Sequence, residues 1–317
     1  MGFIGKRLTV TILTLFLVSA VTFGAFRLVP GDAALVSLGT EASEEQIETA
    51  RAEMGLEKSY PAQYLSWLKN FITGNLGYSS RFRGEQVSQI ILERLPVTAA
   101  LAAMSLCFVL LIALPVSLLT VRREYSITDR IVKTFTALNI SIPSFFMGIL
   151  FIWIFALTFK WFSPGAFVPY REDGAAFFSY LIFPALAIAL PNTALVVKFL
   201  RASMFRELKS DYVRTARSKG ADFSRILKRH VLKNASLPVI TLLGMITAEI
   251  FSGSIVIEQV FGIPGIGRLL LASISARDFP MIETLLVYIA FAVIIANSLA
   301  DIALQMVDPR IRLSSKA

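Results

Sequence analysis

The sequence predicts an all-α protein with six transmembrane helices, a helical extracytoplasmic segment and a short helix in a cytoplasmic loop. Of the 317 residues, 55% are hydrophobic, which exceeds the share in ordinary soluble domains. A spanning helix needs roughly 20 mainly apolar residues, and helices are the form that satisfies the backbone in lipid at these run lengths. The apolar runs lie at 8–26, 95–121, 134–159, 174–197, 234–257 and 284–300.

Lys and Arg are concentrated in every second segment between the apolar runs. Of the 31 Lys and Arg, 20 lie before the first run, at 122–133, at 198–233 and after Asp308. The positive-inside rule places these segments and both termini in the cytoplasm. The net charge of +9 therefore reflects the orientation of the chain in the membrane and a basic surface on its cytoplasmic side. A nucleic-acid-binding surface is not expected.

The first apolar run follows Lys6 and Arg7, so it has two interpretations. A cleavable signal peptide has an apolar core of about 7–15 residues. The run at 8–26 is longer, and we expect it to be retained as a transmembrane helix. Cleavage would remove one span and leave the remaining topology unchanged.

Residues 29–94 form the extracytoplasmic segment, and local signals predict helices in it. Ser43-Glu-Glu-Gln46 is a capping box, and Gly55 is suited to end the helix that it opens. Pro61 fits the first turn of a second helix. The segment is either a small cap on the first two spans or a surface that meets a partner or lines an entrance.

Two ionisable residues, Glu249 and Asp301, are expected within the spans: Glu249 lies inside the fifth apolar run, and Asp301 directly follows the sixth. A charge at the bilayer centre costs at least about 2.5–3.5 kcal/mol, so both side chains are expected to face protein or water. Asp301 is interpreted as structural. Glu249 is a candidate for the wall of a cavity or for a helix–helix hydrogen bond to a partner subunit.

Prolines interrupt the second to fourth runs, and polar residues stand near them. Such kinks suit a hydrated pathway, although ordinary helix packing uses the same residues. The prolines are Pro115, Pro143, Pro184 and Pro191, and the candidate pathway or interface residues beside them are Asn139, Ser141 and Asn192.

The sequence argues against a cofactor in this chain. Cys107 and His230 are the only residues of their types, so neither a disulfide framework nor a metal site is expected. The chain also lacks the G-x-x-x-x-G-K-[ST] pattern of a P-loop.

The loop at 201–233, which we call the basic loop, is the most informative segment; with Lys198 it carries eleven Lys and Arg. Ser210 or Asp211 is suited to cap a helix of about two turns, over 212–219. Gly220 is suited to end it, since glycine enters left-handed backbone space cheaply.

Two further residues of the basic loop complete the pattern. Asp222 is placed to cap a second helix that leads into the fifth run. Ala216 has a small side chain, so the backbone of another protein can approach it closely. The short helix either docks on another protein or rests on anionic lipid, and physical reasoning alone weighs these equally.

The basic loop resembles the EAA loop of ATP-binding-cassette importer permeases. Ala216, Gly220 and Leu237-Pro238 match the motif, whereas Arg214 and Thr215 stand where that family has Glu and its first Ala. Ala235 stands at its Ile position.

Over nearly its whole length the chain is similar to the first-position permease of dipeptide, oligopeptide and nickel importers. The matching pieces are Pro30-Gly-Asp32, Gly55-Leu56, Gly74-Asn-Leu-Gly77, Glu93-Arg-Leu-Pro96, Ser141-Ile-Pro-Ser144, Phe183-Pro-Ala185, Leu190-Pro191, 230–238, 261–267, Arg277-Asp-Phe-Pro280 and Asp308-Pro-Arg310.

The resemblance implies a multi-pass permease subunit, without enzymatic activity, in a bacterial or archaeal inner membrane. It would work with a second homologous permease, two ATP-binding subunits and an extracytoplasmic substrate-binding protein, and the ATP would be bound by those partners. The residues assigned by resemblance to the ATPase contact are Asp211, Ala216, Gly220 and Asp222.

The implied substrates are di- or oligopeptides. The alternative within this class is nickel or a metal chelate, and the alternative from another class is a membrane receptor or scaffold that transports nothing. The implied division of the chain is an N-terminal span at 1–28, the extracytoplasmic segment at 29–94, a permease core at 95–307 and a cytoplasmic tail at 308–317.

Overall fold

The computed structural model describes residues 3–28, 43–53, 55–82 and 85–307. They are helical almost throughout, and one isolated antiparallel β-bridge joins Tyr78 to Gln86. The prediction of an all-α protein is therefore confirmed. The α-helices, in chain order, are α1 (Phe3–Leu28), α2 (Glu44–Glu53), α3 (Tyr60–Thr73), α4 (Val87–Arg122), α5 (Ile127–Ser141), α6 (Ser144–Phe151), α7 (Gly174–Glu207), α8 (Asp211–Ser218), α9 (Phe223–Ile226), α10 (Leu232–Ala235), α11 (Leu237–Phe261), α12 (Ile266–Ala276) and α13 (Phe279–Val307).

Two π-helical segments interrupt the α-helices. Ile152–Thr158 prolongs α6, and Leu227–Val231 joins α9 to α10. Among the described residues, five helices are long and apolar enough to cross a membrane: α1, α4, α7, α11 and α13. Helix α5 and the α6 segment form a bent pair that makes a sixth span if it crosses as one unit.

The bent pair corrects the expectation of a single kinked helix over 134–159. Its two arms differ in direction by 106°, and Pro143 lies between them. Proline has no N–H to continue the helical ladder, and the carbonyl of Asn139 accepts from the N–H of Ile142 at 3.3 Å instead. Helices α4 and α7 continue through the other three prolines.

Two helices begin earlier than the apolar runs indicated. Helix α4 starts at Val87 and α13 at Phe279, whereas the runs start at 95 and 284. An uncharged run ends by definition at the first charged residue. The helices extend further, because the helical backbone of α4 includes Glu93 and Arg94 and that of α13 includes Glu283. The domain division at 94 stays a prediction.

The local helix signals predicted within residues 43–61 are confirmed. Gln46 Oε1 accepts from the Ser43 N–H at 2.9 Å, and Ser43 Oγ accepts in return from Gln46. Gly55 follows α2 with a φ of +65°, and Pro61 lies in the first turn of α3. Pro30-Gly-Asp32, Asp308-Pro-Arg310 and the tail at 308–317 lie outside the described residues, as does the side chain of Asp301.

The chain divides into two compact units, and the first comprises Met1–Thr98 with Pro264–Ile294. In this unit an aromatic ladder joins α1, α3 and α13. Ring centroids lie 5.5 Å apart for Phe23 and Tyr64, 5.4 Å for Trp67 and Phe71, and 5.5 Å for Phe71 and Tyr288. Such aromatic pairs add to the stability that their burial provides.

A buried carboxylate organises the turn before α13 in the same unit. Asp278 is fully buried and accepts from the Ser79 hydroxyl and from the N–H of Arg81 at 3.3 Å. It also faces the N–H of Met281 at 3.4 Å, in the first turn of α13, where a negative charge is favourable. The stretch after α3 is thereby fixed to the start of α13.

The second unit comprises Ala99–Ile263 with Ile295–Ala317, and α7 is its central helix. It contacts α5, α6 and α11, and 67% of the residues in its most apolar stretch are buried. Close packing explains why α7 carries small residues such as Ala185, Ala187 and Ala189, all fully buried. Helix α7 leads directly into the basic loop.

Candidate functional site

Within the basic loop the short helix α8 lies between the end of α7 and the start of α9, and both of its ends are well defined. Ser210 occupies the N-cap position without a side-chain hydrogen bond. Asp211 is the first helical residue, and its carboxylate lies 3.4 Å from Arg214. Helix α8 therefore begins one residue before the predicted start, and the capping role considered for Asp211 is wrong.

The predicted stop at Gly220 is confirmed. Gly220 has a φ of +78°, its N–H donates to Arg217 at 2.9 Å, and the N–H of Ala221 donates to Ala216 at 3.1 Å. These two bonds form a Schellman motif, which favours glycine because the left-handed conformation is strained for other residues. A β-carbon at Gly220 would meet no atom within 4 Å, so a substitution there acts through backbone strain or through what docks outside.

The predicted cap at Asp222 is also confirmed. Its carboxylate accepts from the N–H of Ser224 at 2.9 Å and opens α9. From α9 the chain continues through the π-helical segment and α10, which packs against α7. Both ends of α8 are therefore anchored to structured elements.

One face of α8 packs against the rest of the second unit, to which the helix itself belongs. Val213 is 1% exposed, and the Tyr212 hydroxyl donates to the Glu207 carboxylate at 2.8 Å. Burial, together with the nearby carboxylate, raises the pKa of Tyr212. The phenol thus remains a donor at neutral pH and connects α8 to the end of α7.

The opposite face of α8 is open. Arg214, Thr215, Arg217 and Ser218 are exposed, and Ala216 is half-buried at the edge of this face. The Arg217 guanidinium lies 5.8 Å from the centre of the Phe223 ring, a cation–π distance that fixes part of the surface. This exposed, cationic face is the candidate contact surface.

The candidate pathway residues lie apart from α8 and differ in burial. Asn139 is buried at 3% exposure, donates to the Phe135 carbonyl at 2.8 Å and leaves its Oδ1 without a partner. Asn192 is also buried and donates to Ile188 at 2.9 Å. Within the described part of the chain no hydrogen bond joins these two residues.

Ser141 and Glu249 are exposed on the isolated chain. Ser141 donates to the Ala137 carbonyl at 3.1 Å. Across the described ranges Glu249 has no hydrogen bond or ion pair, which is consistent with a side chain that meets another subunit or water. Neither residue is placed in a closed site by this chain alone.

Sequence reasoning missed a buried ion cluster next to the basic loop. Asp129 is fully buried, and its carboxylate lies 2.9 Å from both Lys133 and Arg201. It also accepts from the Tyr125 N–H at 3.2 Å. The pattern Ser126-x-x-Asp129 and the i, i+4 spacing to Lys133 signal the local part, but nothing in the sequence signals Arg201.

The ion cluster links α5 to the end of α7. Asp129 lies in the first turn of α5, the arm that ends at the 106° bend, and Arg201 lies in the last two turns of α7. A cavity of about 460 Å³ opens beside the cluster and is lined in part by Lys133, Lys198 and Arg201. The contact of Asp129 with Arg201 therefore joins α5 to the C-terminal part of α7.

The sequence matches the family models of a known class of transport protein. The family model for the inner-membrane component of binding-protein-dependent transport systems matches residues 113–313, and the model for the N-terminal part of such components matches residues 1–102. The chain belongs to this family of membrane permease components, which are transport subunits and not enzymes.

Relatives in that family cover essentially the whole chain. A probable peptide ABC transporter permease protein, y4tP, of Sinorhizobium fredii is 35% identical over 98% of this chain and 99% of its own length. The oligopeptide transport system permease protein AppB of Bacillus subtilis is 33% identical over the same shares. A putative peptide transport system permease protein of Brucella abortus is 35% identical over 97% and 98%.

The ion cluster makes a testable contribution to stability. Asp129→Asn removes the charge and leaves Arg201 largely buried, and breaking a buried pair costs about 3–5 kcal/mol. We expect a large drop in the thermal unfolding temperature of the purified protein in detergent. The double change Asp129→Leu with Arg201→Met removes both charges and should recover most of the loss.

The matched control is Asp211→Asn, because Asp211 and Arg214 form an ion pair whose side chains are 91% and 79% exposed. Such surface pairs contribute about 0–1 kcal/mol. An unfolding temperature for Asp129→Asn as high as that of the control would contradict the role assigned to the cluster.

Proposed function

We propose that this permease imports peptides and is driven by ATP-binding subunits that contact the exposed face of α8. The observation that carries the proposal is the geometry of α8: a short, rigid, cationic helix anchored on one face and open on the other.

The peptide substrate is favoured by the relatives. The three described above carry peptide or oligopeptide transport in their names. None of these three names mentions nickel or a metal chelate.

The partners follow from the kind of system to which the family belongs. We infer a second permease subunit, two ATP-binding subunits and an extracytoplasmic substrate-binding protein. Glu249, exposed and unpaired on α11 in the described chain, is proposed to face the second permease or the pathway between the two. Asn139 and Ser141 lie at the end of α5, just before the 106° bend, and are proposed to act with Asn192 along that pathway.

The mechanism starts at α8. On binding ATP, the ATPase subunits move the exposed face of α8, and Gly220 and Asp222 hold the helix as a rigid body during that movement. The hydrogen bond from Tyr212 to Glu207 transfers the movement to α7. Arg201 then displaces Asp129 and, with it, helix α5.

Topology is the first test. We predict both termini, and α8 between them, on the cytoplasmic side, with residues 29–94 outside. In a Cys107→Ala background, a cysteine at exposed Ser59 should react with an impermeant reagent added to intact cells, and one at Lys219 should not. The reverse labelling would refute the topology and with it the ATPase contact.

The second test concerns coupling. Gly220→Val strains the left-handed stop by roughly 1–2 kcal/mol and distorts α8, whereas Ala216→Glu adds bulk and charge at the edge of its open face. We predict normal amounts of both variants in the membrane, loss of uptake, and loss of the ATP hydrolysis that loaded binding protein stimulates in reconstituted vesicles.

Two controls isolate the effect of position. Gly220→Asn should remain coupled, because asparagine tolerates left-handed backbone. Gly165→Val imposes similar strain elsewhere, since Gly165 has a φ of +83° and open space around it, and it should also remain coupled. If α8 only rested on lipid, loaded binding protein would stimulate ATP hydrolysis normally in Gly220→Val. Removing Arg214, Arg217 and Lys219 one after another would instead lower that stimulation step by step.

A further inference from the structure

The first unit contains a cavity that carries both a positive and a negative side chain. Its volume is about 200 Å³, and Arg27 of α1 and Glu283 of α13 both line it. Trp67, Phe71 and Phe279 supply apolar walls. The transport role described above uses neither of the two charges.

Glu283 is the less expected of the two charges. It is 6% exposed, and a buried carboxylate is costly unless it is paired and hydrogen-bonded. It lines the cavity, and no ion pair within 4.0 Å and no hydrogen bond holds it among the residues with described side chains. An acidic group that faces a cavity in this way is suited to a ligand with a hydrogen-bonding cation.

Arg27 supplies the complementary charge. It lies at the C-terminal end of α1, with its guanidinium 4.7 Å from the centre of the Phe23 ring, and its buried Nε has no hydrogen-bond partner in the described structure. Guanidinium groups bind phosphate and carboxylate oxygens in a fork geometry. The cavity thus offers one anion site and one cation site side by side.

A second cavity extends from Arg27 along α1. It has a volume of about 470 Å³ and is lined by Ala20, Phe23, Gly24, Tyr60, Pro61 and Tyr64 as well as by Arg27. The lining is mostly apolar and aromatic, and α1 is a candidate membrane span. An acyl chain would fit a groove of this kind, with its polar head at Arg27.

We infer that the two cavities bind one zwitterionic phospholipid with a primary ammonium group, as in phosphatidylethanolamine. The phosphate would bind Arg27, the ammonium would donate to Glu283, and an acyl chain would follow the groove on α1. At ~30 Å³ per water-sized group, 200 Å³ accommodates about seven such groups, close to a phosphoethanolamine head. The inference adds a lipid site to the proposed function and does not depend on its substrate.

The test measures lipid retained by the purified protein. The full chain, with any subunits that copurify, is equilibrated in mild detergent with phosphatidylethanolamine, phosphatidylcholine or phosphatidylglycerol, passed through a sizing column and analysed for bound lipid by mass spectrometry. The choline head carries no N–H, and the glycerol head carries no cation. We expect phosphatidylethanolamine to be retained about tenfold over both, the effect of one charge-assisted hydrogen bond.

Variants locate the site. Glu283→Gln should abolish the preference for the ethanolamine head, and Arg27→Gln should lower retention of all three lipids. The controls are Glu172→Gln and Lys160→Gln, exposed charges that do not line either cavity, and both should retain lipid as the wild type does. The wild-type comparison of head groups stands on its own if Glu283→Gln fails to fold.

Three results would overturn the inference. One is equal retention of ethanolamine and choline lipids by the wild-type protein, and another is an unchanged preference in folded Glu283→Gln. The third is displacement of the lipid by excess dialanine, a zwitterion without acyl chains, which would assign the cavity to peptide.

Discussion

In a bilayer every backbone N–H and C=O must find its partner within the protein, and this constraint underlies the architecture. It forces the apolar runs into helices and makes each interruption informative. At Pro143 the missing donor is accompanied by a 106° bend. At the end of α11, where the chain leaves the helix through Gly262, the Phe261 carbonyl is bonded by the Tyr180 hydroxyl. A backbone carbonyl at the end of a helix thus accepts a hydrogen bond from a side chain instead of from the next turn of the helix.

A second consequence concerns how movement passes through the protein. A long helix such as α7 transmits displacement along its axis, but neighbouring helices follow only if specific contacts join them. Asp129 provides such a contact because a buried carboxylate with two cations at 2.9 Å resists separation. The hydrogen bond from Tyr212 to Glu207 connects α8 to the same helix. Each contact joins a neighbouring helix to α7: α5 through Asp129 and Arg201, and α8 through Tyr212 and Glu207.

The sequence was sufficient for features that local chemistry controls. The caps at Ser43 and Asp222 and the left-handed stop at Gly220 depend on a few neighbouring residues, and all three were predicted. The start of α13 was missed, because a run of uncharged residues cannot include Glu283. The contact of Asp129 with Arg201 was also missed, since it joins residues far apart in the chain and depends on how α5 packs against α7.

The central claim is that the exposed face of α8 contacts an ATP-binding subunit. A photoreactive side chain at exposed Ser218 tests it directly when the complex is irradiated in native membranes, with the same group at buried Val213 as the control. We predict that Ser218 crosslinks to an ATP-binding subunit and that Val213 yields no such product. Crosslinking of Ser218 to phospholipid alone would contradict the account.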